Sequence, residues 1–309
     1  MNCPNCQNEN YVKCGKTSRG LQRYKCKNCG KSFIAERQLN NISISANTRN
    51  LLIESLLKKK SVSITDIKEN CKTKNHYNTI YYWRHKILNE LIKAQDKVVL
   101  SGYIQADEIY FSVNYKGNHK NSDWKMPRPA RQRSADLNVR GLSKEKVGVL
   151  TALDENGVSI AIPVCTGRPT SNQVYNALKN HIKEGSTLIT DSAAAYNKLA
   201  KQLKLKLIKI PSGNHATTID GVYYHINNIN NYHKRLNKFM SSFNGVSSKF
   251  LYEYVAWFAF ADRKDLTDDD KKKLLNEILT TKDLKPVRKL NKLDPVNLNK
   301  PQRKKKAKS

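Results

Sequence analysis

The sequence is short of acid. Its 309 residues hold 26 Asp and Glu against 56 Lys and Arg, a formal net charge of +30. Such a surface repels basic partners and points to a polyanion, with nucleic acid first among them. Long apolar runs are also missing. The longest, Tyr254 to Ala261, spans eight residues, whereas a bilayer-crossing helix needs roughly 20. Met1-Asn2-Cys3-Pro4-Asn5-Cys6 lacks a basic segment followed by an apolar one, so no secretory signal is expected. No G-x-x-x-x-G-K-[ST] loop occurs, which leaves ATP use unsupported. The cysteines number seven, and an odd count argues against a closed disulfide framework.

The few cysteines present are patterned. Cys3/Cys6 and Cys26/Cys29 form two C-x2-C knuckles at a separation typical of zinc sites. Four thiolates close a tetrahedral shell and leave no open position, so such a zinc is structural. Tyr11-Val12-Lys13 and Leu21 to Lys25 predict a β-ribbon between the knuckles. A segment of about 35 residues buries too little to fold alone, so the metal supplies folding free energy. Residues 1–40 are therefore expected to be a zinc ribbon. Cys14, Cys71 and Cys165 read as incidental.

Residues 47–95 carry helical periodicity, with Ile80, Trp83, Ile87, Leu88 and Leu91 on one stripe. Three short helices with a break before the last predict a helix-turn-helix over 41–98. Its recognition helix is expected to start near Lys74–Asn78 and to carry Tyr82, Arg84, His85 and Lys86, with Arg84 and Lys86 as DNA contacts.

From residue 102 strands alternate with helices, in the order three strands, helix, strand, helix, strand, helix. By analogy this is the order of a ribonuclease-H-like, retroviral integrase-type fold, expected over 99–263, which makes the chain a multidomain α/β protein. The segment 112–146, with Arg128, Arg131 and Arg133, reads as a basic insertion able to clamp DNA. Residues 264–309 read as a basic tail ending in Arg303-Lys304-Lys305-Lys306.

Asp107 lies mid-strand between apolar neighbours, where an acid is costly to bury unless paired or metal-bound. Asp191 ends the fourth strand, which neighbours the first in this topology. Two carboxylates brought together call for a divalent cation, and oxygen ligands select magnesium or manganese. The plain alternatives are an ordinary edge acid at 107 and a helix N-cap at 191.

Several stretches, taken together, carry a resemblance. They are Asp107-Glu108-Ile109-Tyr110-Phe111, Arg140 to Glu145, Gly167-Arg168-Pro169-Thr170-Ser171, Thr190-Asp191-Ser192, His225 to Leu236 and Phe243 to Leu251. With the zinc knuckles and Tyr82-Trp83-Arg84-His85-Lys86-Ile87-Leu88, they resemble insertion-sequence transposases of the family numbered fifteen-ninety-five, the ISXO-two-like group. The likeness covers about residues 1 to 263. It implies a catalytic Asp, Asp and Asn set at Asp107, Asp191 and Asn230, holding magnesium or manganese. Lys238 is implied as a further catalytic residue that supplies positive charge near the scissile phosphate, although Asn237 stands where many relatives are basic. His233 and Arg235 are implied DNA contacts, and Asp220, Glu253 and His225 are fallback third ligands. The resemblance further implies cleavage at element ends, strand transfer into target DNA, a dimer or higher oligomer on double-stranded DNA, and a cytoplasmic, nucleoid-associated bacterial protein. The competing reading is a DNA-binding regulator whose ribonuclease-H-like domain is inactive, kept open by Asn230. A ribonuclease or resolvase on the same fold is a third.

Overall fold

β-Branched and apolar residues between Tyr103 and Ile210, punctuated by turn-forming Gly and Asp, build the central sheet. The computed structural model describes residues 2–3, 5–16, 22–34, 45–58, 62–71, 76–117, 145–191, 194–211, 213–280, 293–294, 296 and 298. The sheet comprises β4 (Tyr103–Ser112), β5 (Lys146–Asp154), β6 (Ser159–Thr166), β7 (Thr187–Asp191) and β8 (Lys206–Ile210), in the order β6-β5-β4-β7-β8. The first three strands pair antiparallel, while β4–β7 and β7–β8 are parallel. The β5–β6 turn is made by Asp154, whose Oδ1 accepts the Asn156 and Val158 amides, and by Gly157 at φ +78°. Crossovers run through α4 (Ser171–Leu178) and α5 (Asn197–Gln202). Thr170 opens α4 with a full capping box to Gln173.

One hairpin escaped the sequence reading. β9 (Ala216–Ile219) and β10 (Val222–His225) pair through Asp220-Gly221, both at positive φ. Asp-Gly between short β-prone runs is itself the hairpin signal.

Two helices, α6 (Asn227–Ser241) and α7 (Leu251–Asp262), cover the sheet on the side of β4, β5 and β6. α7 is apolar all round and almost wholly buried, as a core helix must be. The N-terminal helices α1 (Ala46–Leu57), α2 (Ile64–Cys71) and α3 (Tyr77–Gln95) do not stand apart from it. α3 lies along α7, Trp257 Nε1 donates to the Leu56 carbonyl at 2.7 Å, and one apolar cluster runs from Leu52 through Ile87 to Val255 and the sheet.

Residues 264–280 correct the expected tail boundary. Asp268–Thr280 form α8, which buries Leu275, Ile278 and Leu279 against α1 and α3. Its apolar stripe outweighed the charge that made the segment read as tail. The basic run from 299 onward lies outside the described residues, as do Arg128, Arg131 and Arg133. Among the described residues no helix is long and apolar enough to cross a membrane.

Near the N-terminus, β1 (Tyr11–Lys16), β2 (Gln22–Cys26) and β3 (Ser32–Ile34) form a separate antiparallel sheet. Its apolar content is three rings, Tyr11, Tyr24 and Phe33, with centroids 5.3–5.9 Å apart. So small a cluster cannot hold the unit without a staple.

Candidate functional site

That staple has its ligands in place. The sulfurs of Cys3, Cys6, Cys26 and Cys29 all lie within 4.8 Å of one another. The Cys3–Cys29 and Cys6–Cys26 pairs are each 3.6 Å apart. A zinc–sulfur bond of about 2.3 Å gives a tetrahedral sulfur–sulfur edge of about 3.8 Å, so the four thiols fit zinc closely. The backbone amide of Lys31 leads in lowering the Cys29 thiol, whereas, against the pull of the Asn8 amide, burial and the neighbouring thiols raise that of Cys6. Gly30, at φ +68°, makes the turn that presents this knuckle. Cys14 is no member of the cluster.

The second site is assembled by sheet register. β4 and β7 pair as Tyr103↔Thr187, Ile104↔Leu188 and Gln105↔Ile189. Extending that register by two residues aligns Asp107 with Asp191, and the two carboxyls are within electrostatic reach of each other. Register partners in a parallel pair point to the same face, and strands lie about 4.8 Å apart. Burial pushes the Asp107 carboxyl up to about 7, against the pull of its hydrogen bond from the Glu108 amide. The nearby Glu108 and Asp191 carboxylates raise it further.

α6 is pinned across β4 by two contacts on the same strand face. Gln105 Oε1 accepts the Ile229 amide at 2.9 Å, and His233 Nδ1 lies 3.6 Å from Asp107 Oδ2. Asn230, half-buried, sits between these anchor points, one turn before His233. His225 sits at the helix start, its Nδ1 accepting the Asn227 amide at 3.3 Å, with Gln105 Nε2 close by.

The protons around His233 are fixed by Thr151. This fully buried hydroxyl donates to the Asp107 carbonyl at 2.9 Å, so it can only accept from His233 Nε2–H, 2.7 Å away. The ring's other nitrogen, Nδ1, then turns a lone pair toward Asp107. Burial holds the imidazole down to about 4, so at neutral pH it is no cation and the contact no ion pair. The Asp107 carboxyl thus faces a neutral imidazole, with the Asp191 carboxyl in electrostatic reach. This donor set fits a hard divalent cation.

Glu108 points the other way, as strand alternation requires. It lies beside the buried Tyr196 hydroxyl, with Arg168 in electrostatic reach, and burial leads in raising its carboxyl. Glu108 and Thr151 were not singled out from sequence. Glu108 carried a signal, as an acid adjacent to Asp107 in an apolar strand, whereas Thr151 had none.

Several expected site residues are elsewhere. Arg84 is 4% exposed, donates to the Val62 carbonyl at 2.7 Å and stacks over Trp257, so it is not a DNA contact. His85 is fully buried against Glu253, which removes Glu253 as a ligand of the distant acid pair. Both residues face α7 because α3 is a packing helix along most of its length. Lys86 is half-buried over the Trp83 ring. Arg235 forks onto Asp262 through Nε at 3.2 Å and Nη2 at 2.6 Å, a clamp between α6 and α7 in place of an expected DNA contact. His233 turns inward to Asp107 in place of a backbone phosphate. Asp220 is exposed at the β9–β10 turn. Lys238 is exposed two turns beyond Asn230, about 140° around the helix from His233.

The chain has recognisable relatives. No curated protein matches it. Among solved structures, a pre-cleavage Mos1 transpososome is similar at 13% identity and TM-score 0.27, over 75% of this chain and 78% of that one. A Mos1 transposase paired-end complex with left transposon end is similar at 12% identity and TM-score 0.28, over the same shares of the two chains. A family model described as the ISXO2-like transposase domain matches residues 99–262, from just before β4 to the end of α7. That match spans more than half of the sequence, and the chain belongs to the ISXO2-like transposase family.

Proposed function

We propose that this chain is a metal-dependent DNA transposase with a ribonuclease-H-like catalytic unit, Asp107, Asp191 and Asn230 being its catalytic set. One observation supports the reading: the β4–β7 register, extended by two residues, aligns Asp107 with Asp191, and His233 of α6 lies 3.6 Å from Asp107. Magnesium or manganese held by Asp107, Asp191 and Asn230 would supply Lewis-acid charge neutralisation for in-line phosphoryl transfer. The chain's own residues do the positioning. Thr151 and His233 fix the Asp107 side of the site, and Gln105 fixes the start of α6. Basic side chains, Lys238 among them, hold phosphates along the DNA.

The reaction is two displacements at phosphorus. Water attacks an element-end phosphodiester, the bond from phosphorus to the 3′-oxygen breaks, and a 3′-hydroxyl is released. That hydroxyl attacks a target phosphorus, forms a new bond and expels a target 3′-oxygen. The domain reading follows: a zinc ribbon over 1–40, a helix-turn-helix over 41–98, and a catalytic unit from 99, with a basic insertion at 112–146 and a basic C-terminal run. In the helix-turn-helix the first turn of α3 is open to DNA, because His76, Tyr77 and Asn78 are exposed there while Arg84 and His85 are buried. A dimer on paired element ends, in a bacterial cytoplasm, follows from the same reading.

The test is cleavage of a plasmid carrying the inverted repeats that flank the gene. We expect magnesium-dependent nicking at the repeat ends, then strand transfer, both lost in Asp107→Ala and Asp191→Ala. The amide at Asn230, a weaker ligand than carboxylate, favours a second reading, a DNA-binding regulator with an inert catalytic unit. Repeat binding without cleavage under any divalent ion supports that reading; cleavage without strand transfer points to a resolvase or nuclease.

A further inference from the structure

The stretch Phe243 to Leu251 belongs to the family resemblance, yet the acid pair gives it nothing to do. It lines a cavity of about 480 Å³ at the far end of α6. From Asn230 to Phe243 is about 20 Å along the helix, so this is a place apart from the candidate catalytic carboxylates. The walls come from four segments: the first turns of α3, the residues that follow β4, the loop between α6 and α7, and Tyr254 on α7. That loop is held in shape. Asn114 accepts the Ser248 amide and donates its own amide to Ser248 Oγ, both at 2.8 Å. Asn244 and Gly245 take positive φ, and a side chain on Gly245 would strike Asn114.

The lining has two chemistries. Tyr81, Tyr82, Phe250 and Tyr254 offer aromatic surface, and Lys116 and Lys249 offer charge. No carboxylate lines the cavity among the described residues. Lys249 Nζ stands 5.0 Å from the centre of the Phe250 ring, over its face. Ser247, 8% exposed, lines the cavity with an Oγ that has no hydrogen-bond partner. Asn78, at the exposed start of α3, is part of the lining.

We infer that this cavity receives one unstacked nucleotide of the bound DNA, its base against the tyrosines and its phosphate between Lys116 and Lys249. The volume falls within the roughly 300–1,000 Å³ of small-ligand sites. Aromatic walls stack any base, and lysine ammonium groups in a lining without a carboxylate select an anion. A base leaves the duplex only where the stacking gained offsets the stacking lost. A single-stranded or mispaired position near the element end is therefore the favoured occupant. The inference rests on the DNA-handling reading above and on nothing about the catalytic residues.

The test uses the full chain and two labelled duplexes of one arbitrary sequence, one fully paired and one with a single unpaired 5-iodo-deoxyuridine. Fluorescence polarisation is expected to show the bulged duplex bound about tenfold tighter, as stacking of one base allows. Tyr82→Ala combined with Lys249→Ala is expected to cut that ratio below about twofold, while Tyr82→Phe keeps it because its ring still stacks. The readout is the ratio, so a general loss of affinity does not imitate the result. Photocrosslinking of the iodinated base to wild-type protein is expected to attach to Tyr81, Tyr82, Phe250 or Tyr254. Equal affinity for both duplexes, a ratio that survives the double substitution, or crosslinks only elsewhere each overturn the pocket while leaving the DNA reading intact. Failure of the wild type to bind either duplex overturns both.

Discussion

Two sites in this chain are suited to metals, and they are built in opposite ways. The four cysteines sit in two knuckles of one small ribbon, and their spacing sets their geometry almost unaided. The acid site draws on β4, β5, β7 and α6, and no local spacing relates Asp107 to Asp191 or Asn230. The ribbon has three rings for a core, so metal and fold stand together. The acids sit on a sheet with a continuous core that stands without them. Removing metal from the first site should unfold it; removing it from the second should silence it and leave it folded.

The largest expected effect is at the ribbon. Chelation of zinc, or Cys26→Ser, should forfeit metal-coupled folding on the order of 10 kcal/mol. Heteronuclear NMR should then show collapse of the β1–β3 resonances with those of the sheet unchanged, and metal analysis one zinc per chain in the wild type. Next come the acids. Asp107→Ala or Asp191→Ala should lower cleavage at least about 10³-fold, with the melting temperature not reduced. A cooperative loss of structure in either variant would erase the contrast between the sites.

A third effect sharpens it. With its folded pKa raised from 3.8 to about 7 by burial, Asp107 binds its proton more tightly in the folded state. The sign follows: in the absence of magnesium the Asp107 contribution to stability should fall as pH rises from about 4 through about 7, while His233, held down to about 4, contributes in the opposite sense up to about 6.5, so the wild type is compared with Asp107→Asn. Asp107→Asn should remove that slope and gain up to about 4 kcal/mol at pH 8. Urea unfolding at pH 5 and pH 8, with zinc retained, measures it, and parallel slopes in the two proteins would count against a strained carboxyl. The smallest effect belongs to Thr151→Val. It leaves His233 Nε2–H without its acceptor and frees the ring beside Asp107. Cleavage should drop about 10- to 100-fold with a stability cost near 1 kcal/mol.

The same contrast explains what could be read from sequence. The knuckles were legible because chelation by a tight turn is local. The strand–helix order was legible because period-2 and period-3.6 patterns are local too, and with that order came Asp107 and Asp191 on neighbouring strands. Burial of Arg84 and His85 was not legible. A basic surface helix and a packing helix share the same stripe, and only α7 lying against α3 decides which side meets water. His233 failed similarly. A histidine on a polar helix face reads as a phosphate contact until Thr151, on another strand, fixes its ring. α8 was lost to its charge, since its buried Leu275, Ile278 and Leu279 were outvoted by the lysines around them.

The central claim is that Asp107 and Asp191 hold one divalent-cation centre. Manganese binding followed by electron paramagnetic resonance, on the zinc-loaded protein with duplex DNA present, tests it directly. The account predicts saturable binding in the wild type, abolished by Asp107→Asn and by Asp191→Asn separately. Undiminished manganese binding in either variant would contradict it.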